Sequence, residues 1–291
     1  MTDASSITRT LGGNWHGRYG TAPCPVCQPE GRKDQDALTL ADGGNGRLLA
    51  HCKKSGCAFA DILAAAGIVP GSYARPDPAV IAQREAEQRA EAEKRRRQAL
   101  ALWREARPIG GTVAERYLRG RGITCDLPET LRFHPACWHA SARMLPAMIA
   151  RVDGADRFAV HRTYLRADGG GKAGVSPDKA MLGSVKGGAV RFAEGAGPLV
   201  VAEGIETALS LRCGLLPAAG PVWAALSASG MAALRLPDTA GALVVAVDGE
   251  DAGRMAGRRV ARRATAAGWS VHIADPGDGL DFNDLLQEEA A

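Results

Sequence analysis

Four apolar runs in the last third of the chain, "PLVVAE", "VWAAL", "ALVVAV" and "SVHIA", are each followed by a helical pattern. The partners are "IETALSLRCG", a short segment after "SASG", "AGRMAGRRVARRATAAG" and "FNDLLQEE". A strand that is apolar at every position is buried on both faces, and strands alternating with helices are joined by crossovers. From residue 196 onward the chain is therefore expected to form a parallel sheet covered by helices on both faces. No internal repeat is visible.

These strands end in acids. "LVVA" stops at Glu203-Gly204, and "ALVVAV" runs into Asp248, Glu250 and Asp251. Asp281 and Asp284 follow "SVHIA" in "GLDFNDLL". Ligands of such sheets bind at the carboxyl ends of the strands. Three negative charges within four residues raise one another's pKa unless a cation sits among them or they fan out into water. A dinucleotide site would show a glycine-rich turn, whereas "AEGIETA" has one glycine and two glutamates and would repel a pyrophosphate. A hard cation such as Mg2+ resolves the conflict, because it takes a few carboxylates together with substrate phosphate oxygens.

The N-terminal region is organised by cysteine. "CPVC" (24–27) and "CKKSGC" (52–57) are separated by 24 residues, and "DALTLADGGNGRLLAHC" between them reads as a hairpin around a Gly/Asn turn. Two knuckles joined by a hairpin bring Cys24, Cys27, Cys52 and Cys57 into a tetrahedron suited to structural Zn2+. His51 directly precedes Cys52 and is the alternative third ligand. The remaining Cys125, Cys137 and Cys213 read as small buried hydrophobes. Upstream, "NWHGRYG" sets Trp15 and Tyr19 beside Arg18, a pattern that suits stacking on unpaired bases and equally suits packing of Trp15 on the ribbon.

The 291 residues allow two or three small domains. A ribbon is expected over 1–70, a charged helical linker over 71–107, an α/β segment over 108–195 and the parallel-sheet domain over 196–291. "VPGSYARPDP" breaks the chain before "AVIAQREAEQRAEAEKRRRQALALWREAR", whose composition and Glu-to-Arg spacings predict a helix. Its first half has no apolar face and reads as a solvated spacer, with "LALW" docking its end. About thirty helical residues span roughly 45 Å. In the middle segment short helices and strands are expected to alternate. "TVAERYLRGRGI" reads as a helix closed by glycine, "AMIARV" and "FAVHRTYL" as paired strands about "DGAD", and "GGGKAG" as a flexible basic loop.

A net charge of +4 is compatible with nucleic acid without requiring it. No stretch approaches the roughly 20 apolar residues of a membrane span, and the polar "MTDASSITRT" is no signal peptide, so a cytoplasmic protein without membrane contact is expected.

The order of acids resembles the Toprim domain of bacterial-type primases, topoisomerases and related nucleases. That resemblance matches Glu203 to the family's first glutamate, Asp248 to the first aspartate of an Asp-x-Asp pair and Gly253 to the glycine of the next turn. Glu250 stands where the second aspartate is expected, with Asp251 adjacent. Ribbon, α/β segment and Toprim in this order resemble bacterial-type DNA primases of phages, plasmids and mobile elements, as do "YLRGRGI", "LRFHP", "HRTYL", "KAMLG" and "DFNDLL".

The resemblance implies template-dependent primer synthesis on single-stranded DNA from NTPs or dNTPs, by a two-metal mechanism with Mg2+ or Mn2+. Glu203, Asp248 and Glu250 would be catalytic metal ligands, with Asp281 and Asp284 assisting. Arg162, Lys172, Lys179 and Lys186 are the candidates for nucleotide phosphate. Arg254, Arg258 and Arg262, at successive i+4 steps, form one basic helix face for a nucleic-acid backbone; Trp15, Arg18 and Tyr19 would serve the ribbon's contact. No G-x4-G-K-[ST] loop is present, so unwinding would fall to a separately encoded helicase. A Toprim metal-dependent nuclease and a catalytically weak nucleic-acid-binding accessory are the rival readings.

Overall fold

The structure is a computed structural model that describes residues 3–31, 35–43, 47–69, 73, 77–216 and 220–289. It separates into two compact units, Met1–Glu91 and Ala92–Ala291. No helix among the described residues is long and apolar enough to cross a membrane.

The first unit opens with α1 (Ala4–Thr10), capped by the Asp3 carboxylate, which accepts from the Ser6 N–H. An antiparallel sheet follows in sequential order: β1 (Asn14–Trp15), β2 (Tyr19–Ala22), β3 (Leu38–Asp42) and β4 (Leu48–Cys52). The β3–β4 hairpin pairs Leu38 with Cys52 and Asp42 with Leu48. The Gly/Asn turn expected at its tip falls on 44–46, outside the described residues. Gly20 is required where β2 meets α1, because a Cβ there would lie 1.9 Å from Thr8 Oγ1. α2 (Phe59–Ala65) contributes Ile62 to a core of Ile7, Leu38, Leu40 and Leu48.

α3 (Pro78–Glu105) forms as its composition predicts, over 28 residues. Its first half is mostly exposed, as expected of a solvated segment, but it is not detached from the ribbon. Arg84 pairs with Asp3 at 3.1 Å and Asp42 at 3.7 Å, and its guanidinium lies 5.5 Å from the centre of the Trp15 ring. Absence of an apolar stripe misled the reading, because this face docks by charge and cation–π contact. The unit boundary accordingly falls inside α3, between residues 91 and 92.

In the second unit, the last turns of α3 bury Ala99 and Trp103 against one face of an antiparallel meander. The meander runs β5 (Arg107–Pro108), then, beyond α4 (Val113–Gly120), β6 (Leu131–His139), β7 (Arg143–Val152), β8 (Ala159–Tyr164) and β9 (Lys179–Leu182). The middle segment thus holds one helix among consecutive strands, where alternation was expected. β7 and β8 pair about the Asp153–Asp156 turn as read. The "GGGKAG" loop is tied down: the Arg166 N–H donates to Gly171 O and the Ala173 N–H to Tyr164 O, both at 2.9 Å.

β10 (Val190–Ala193) leaves the meander and pairs antiparallel with a strand of the second sheet. That sheet has the order β10, β12 (Val222–Ala224), β11 (Leu199–Ala202), β13 (Ala242–Ala246), β14 (Ser270–Ala274). β12, β11, β13 and β14 are mutually parallel. Its helices are α5 (Ile205–Ser210, continued by a π-turn over Leu211–Leu215), α6 (Ala228–Ala233), α7 (Asp251–Ala266) and α8 (Phe282–Glu289). Alternate strand residues face opposite ways. Val200, Ala202, Val222 and Ala246 join Leu118, Phe133 and Met148 from the meander side in one core, while Leu199, Val201, Trp223 and Val245 pack with Ala256 and Val260 of α7 in another. The shared first core and the β10 pairing place residues 108–195 and 196–291 in one compact unit. Only β14, at the open edge, departs from the doubly covered pattern, with His272 and Ile273 exposed.

Cys137 is a buried hydrophobe as read, whereas Cys125 and Cys213 are half-buried and face each other, Sγ to Sγ 2.8 Å.

Candidate metal centres

The four ribbon thiols converge: Cys24, Cys27, Cys52 and Cys57 keep their Sγ atoms within 4.8 Å of one another, with Cys27 and Cys52 at 3.6 Å. Tetrahedral zinc–thiolate bonds of about 2.3 Å require S···S separations of about 3.8 Å, so the donor set fits Zn2+. β4 delivers Cys52 inward, and the neighbouring His51 is therefore exposed, on the opposite side of the strand. Burial raises the Cys52 thiol, but the N–H groups of Ser55, Cys57 and Lys54 aimed at its sulfur outweigh this and bring it to about 6. Burial and the adjoining thiols push Cys57 up to about 12. Thiols crowded in this way gain by losing protons to a metal.

At the second sheet, Glu203 directly follows the last residue of β11, and Asp248 lies two residues beyond the end of β13. Asp248 is pushed up to about 6, first by burial and then by the charges of Glu203 and Asp281. Its Oδ1 is buried without a hydrogen-bond partner. Glu203 is raised by burial, an effect partly offset by the Ala228 N–H at the start of α6 and by Lys179. Between them Leu226 adopts a left-handed φ of 72°, and its own N–H donates to Glu203 O at 2.8 Å. Such backbone is costly for a leucine and persists only where the surroundings impose it.

Glu250 sits at the N-cap of α7 without a side-chain cap bond, and its charge acts on both Glu203 and Asp248. Asp251 is exposed in the first helical turn. Close packing fixes this corner. A Cβ on Gly253 would lie 2.8 Å from Asp248 O, and one on Gly249 would lie 1.8 Å from Gly277 O. The 275–281 loop therefore presses against the 248–250 turn and brings Asp281 to Asp248. Asp284 is engaged at the start of α8. Its Oδ2 accepts from the Asp281 N–H at 2.9 Å while Asp281 Oδ1 accepts from the Asn283 and Asp284 N–H groups, a reciprocal cap on α8.

Among the described residues the four thiols are the one group of His, Cys, Asp or Glu donors gathered closely enough to hold a metal ion as they stand. Like charges without a cation hold apart. The unsatisfied Asp248 oxygen is the feature that fits a divalent ion there.

Of the basic candidates, Lys179 faces this edge. Its Nζ lies 3.7 Å from Glu206 Oε2, and Glu206, Asp178 and Asp248 all raise its pKa. Lys172 pairs with Asp178 at 3.2 Å. Arg162 lies between His161 and Thr163 on β8 and so faces the other side of the meander, donating to Trp138 O and Met181 O at 3.4 and 3.3 Å. Lys186 is exposed near Asp156, to which Arg235 binds at 2.6 Å. Arg254 is committed to Asp275 and Asp278, each at 2.7 Å, and so secures the loop that carries Asp281. Arg258 and Arg262 remain exposed on the same face of α7. In the ribbon, Trp15 packs against the core beneath Arg84, while Arg18 and Tyr19 are exposed.

Sequence reading missed Glu206 and Tyr117. Glu206 is 6% exposed in a helix whose six residues are all buried, and it accepts from Tyr117 Oη–H at 2.8 Å. Burial raises its carboxyl, but Lys179 foremost, with backbone and Tyr117 hydrogen bonds, brings it down to about 2. The signal was present: a glutamate directly after the isoleucine that follows a buried strand, in a helix without another charge, needs a partner once it is buried.

Residues 93–192 match a family model described as a domain of unknown function, DUF7146. No curated protein matches the chain. Among solved structures, a DNA primase domain from Pseudomonas aeruginosa aligns at 16% identity and TM-score 0.41, over 67% of this chain and 75% of that one. The zinc-binding and RNA polymerase domains of the Aquifex aeolicus primase align at 15% identity and TM-score 0.43, over 97% of this chain and 78% of that one. The primase fragment of the bacteriophage T7 primase-helicase protein aligns at 13% identity and TM-score 0.38, over 92% and 94%. Residues 198–291 match the family model described as a Toprim domain, and the segment bearing Glu203, Asp248, Glu250 and Asp281 carries that domain.

Proposed function

We propose that the chain is a primase-type nucleotidyltransferase that makes short primers on single-stranded DNA from NTPs or dNTPs. The observation that carries this reading is the buried, unpartnered Asp248 Oδ1 at the carboxyl edge of a Toprim sheet, flanked by Glu203, Glu250 and Asp281 and faced by Lys179. A divalent ion held by these carboxylates would neutralise them and polarise phosphate oxygens.

The chain's own groups then divide the work. Glu203, Asp248 and Glu250 are the inner acids, with Asp281 set close by its helix cap. Lys179 offers a cation to the triphosphate where the 3′-oxygen attacks the α-phosphate and pyrophosphate departs. Arg258 and Arg262 give α7 a basic face for the nucleic-acid backbone. The thiol-bound ribbon, with Arg18 and Tyr19 exposed, serves the template. Its pairing with the Toprim domain favours primer synthesis over the nuclease reading. A helicase partner and a mobile-element origin belong to the same proposal.

The test is de novo synthesis on single-stranded DNA with labelled NTPs or dNTPs and Mg2+ or Mn2+. Template-dependent short products, lost in Glu203→Gln and Asp248→Asn, are expected. DNA binding without synthesis by the wild type would overturn the primase reading, and a cleavage assay would then separate nuclease from accessory.

A further inference from the structure

Lys179 is held from behind. Its ammonium lies 3.7 Å from Glu206 Oε2, and the other oxygen of that carboxylate accepts from the Tyr117 hydroxyl at 2.8 Å. Glu206 is 6% exposed and Tyr117 3%. They come from α5 and α4, 89 positions apart in sequence, and meet in the core shared by the two sheets. β9 supplies the lysine: Lys179 registers with Thr163, and two positions on, Met181 registers with His161 on the same side of the meander. His161 is 3% exposed with Nδ1 unpartnered, and burial holds it neutral, so it offers Lys179 no competing charge. Toward the outside the lysine's charge is felt by Asp248 and Glu203. A buried ion pair is a poor source of stability compared with apolar packing, so its presence under an acidic edge calls for a different account.

We infer that Glu206 and Tyr117 are positioning residues that fix the Lys179 ammonium as a resident cation of the carboxylate edge. The inference rests on the reading of that edge as a divalent-ion site, but not on primer synthesis. Held by Glu206, the ammonium lowers the negative charge seen by an incoming ion without occupying the ion's place. Released from Glu206, it would swing to Asp248 and Glu203 and compete with the ion. Glu206 is thus coupled to metal affinity through Lys179.

The experiment is Mn2+ titration of the full, zinc-loaded chain, followed by the electron paramagnetic resonance signal of free Mn2+, with Asp248→Asn identifying the site. Lys179→Met should bind Mn2+ about tenfold more tightly, since a unit positive charge several ångströms from a divalent ion is removed. Glu206→Gln should bind about fivefold more weakly. In the double variant the Glu206→Gln effect should shrink to within about twofold, the signature of coupling between contacting residues. Tyr117→Phe should shift affinity in the direction of Glu206→Gln, and it keeps the test available if the buried glutamine prevents folding. Equal Glu206→Gln effects with and without Lys179, or unchanged affinity in Lys179→Met, would overturn the positioning role. So would a wild type that binds no Mn2+ dependent on Asp248. A chain that binds Mn2+ in the expected pattern yet makes no primer keeps this inference and removes the primase reading.

Discussion

Asp248 and Glu206 are carboxylates with opposite fates, and their titrations oppose each other. Asp248 is raised to about 6, so its ionisation opposes the metal-free fold: the penalty is absent below about pH 4 and complete above about 6. Asp248→Asn should therefore stabilise the metal-free protein in urea denaturation at pH 8, by on the order of 1 kcal/mol after solvent screening, and give no gain at pH 4. A proton and a metal ion compete for the same carboxylate, so Mn2+ affinity should rise about tenfold between pH 5 and 7 and then level off; an affinity indifferent to pH across this window would contradict the assignment. Glu206 is depressed to about 2, so it contributes above its ordinary value of 4.5 and loses that contribution as pH falls toward 2. Glu206→Gln should cost about 2 kcal/mol at pH 7, because the half-buried lysine loses its partner, and the difference from wild type should narrow below pH 4.5. Chemical denaturation across pH reads both signs. Asp248 was legible in sequence because an acid directly follows an apolar run. Glu206 was not, because its role depends on Tyr117 and Lys179, which only the packed core brings to it.

α7 shows what a helix contributes to such an edge beyond charge. Alanine normally stabilises a helix interior relative to glycine by about 1 kcal/mol. At Gly257 a Cβ would sit 2.2 Å from Val247 Cγ1, and overpacking of that kind costs about 1–3 kcal/mol. The steric effect prevails, so Gly257→Ala should lower the melting temperature in a thermal scan, whereas a stabilised variant would show that α7 does not press on β13. Gly253→Ala should in addition weaken Mn2+ binding, because its Cβ meets the Asp248 backbone itself. The helices and parallel strands of this half were legible as continuous apolar runs and amphipathic repeats. The partners of charged residues were not. Arg254, Arg258 and Arg262 are equivalent in helical spacing, yet Arg254 is consumed by Asp275 and Asp278, which lie on a loop whose path sequence periodicity does not encode. The same limit applies to α3, whose first half reads as solvated and is instead engaged through Arg84 with Asp3 and Asp42.

The two compact units differ in what holds them together, and this separates their responses to metal loss. The second unit has one extensive apolar core shared by both sheets and another between the parallel sheet and α7. The first rests on a small core around Leu38, Leu40 and Ile62, in which Cys24 and Cys52 are themselves buried members. A four-thiolate zinc site supplies on the order of 10 kcal/mol, comparable to the whole stability of a small domain. Withdrawing zinc leaves four crowded cysteines without the cation that holds them, with Cys57 driven up to about 12 by burial and its neighbours. The first unit should then unfold while the second stays folded. Limited trypsin digestion after chelation, read by mass spectrometry, should show rapid cleavage before residue 91 and a resistant fragment extending through the Toprim segment; Cys57→Ser should produce the same pattern without a chelator. Mn2+ binding at Asp248 should survive in both cases, since its ligands lie wholly in the second unit. Simultaneous loss of protection throughout the chain would show instead that the two units fold as one.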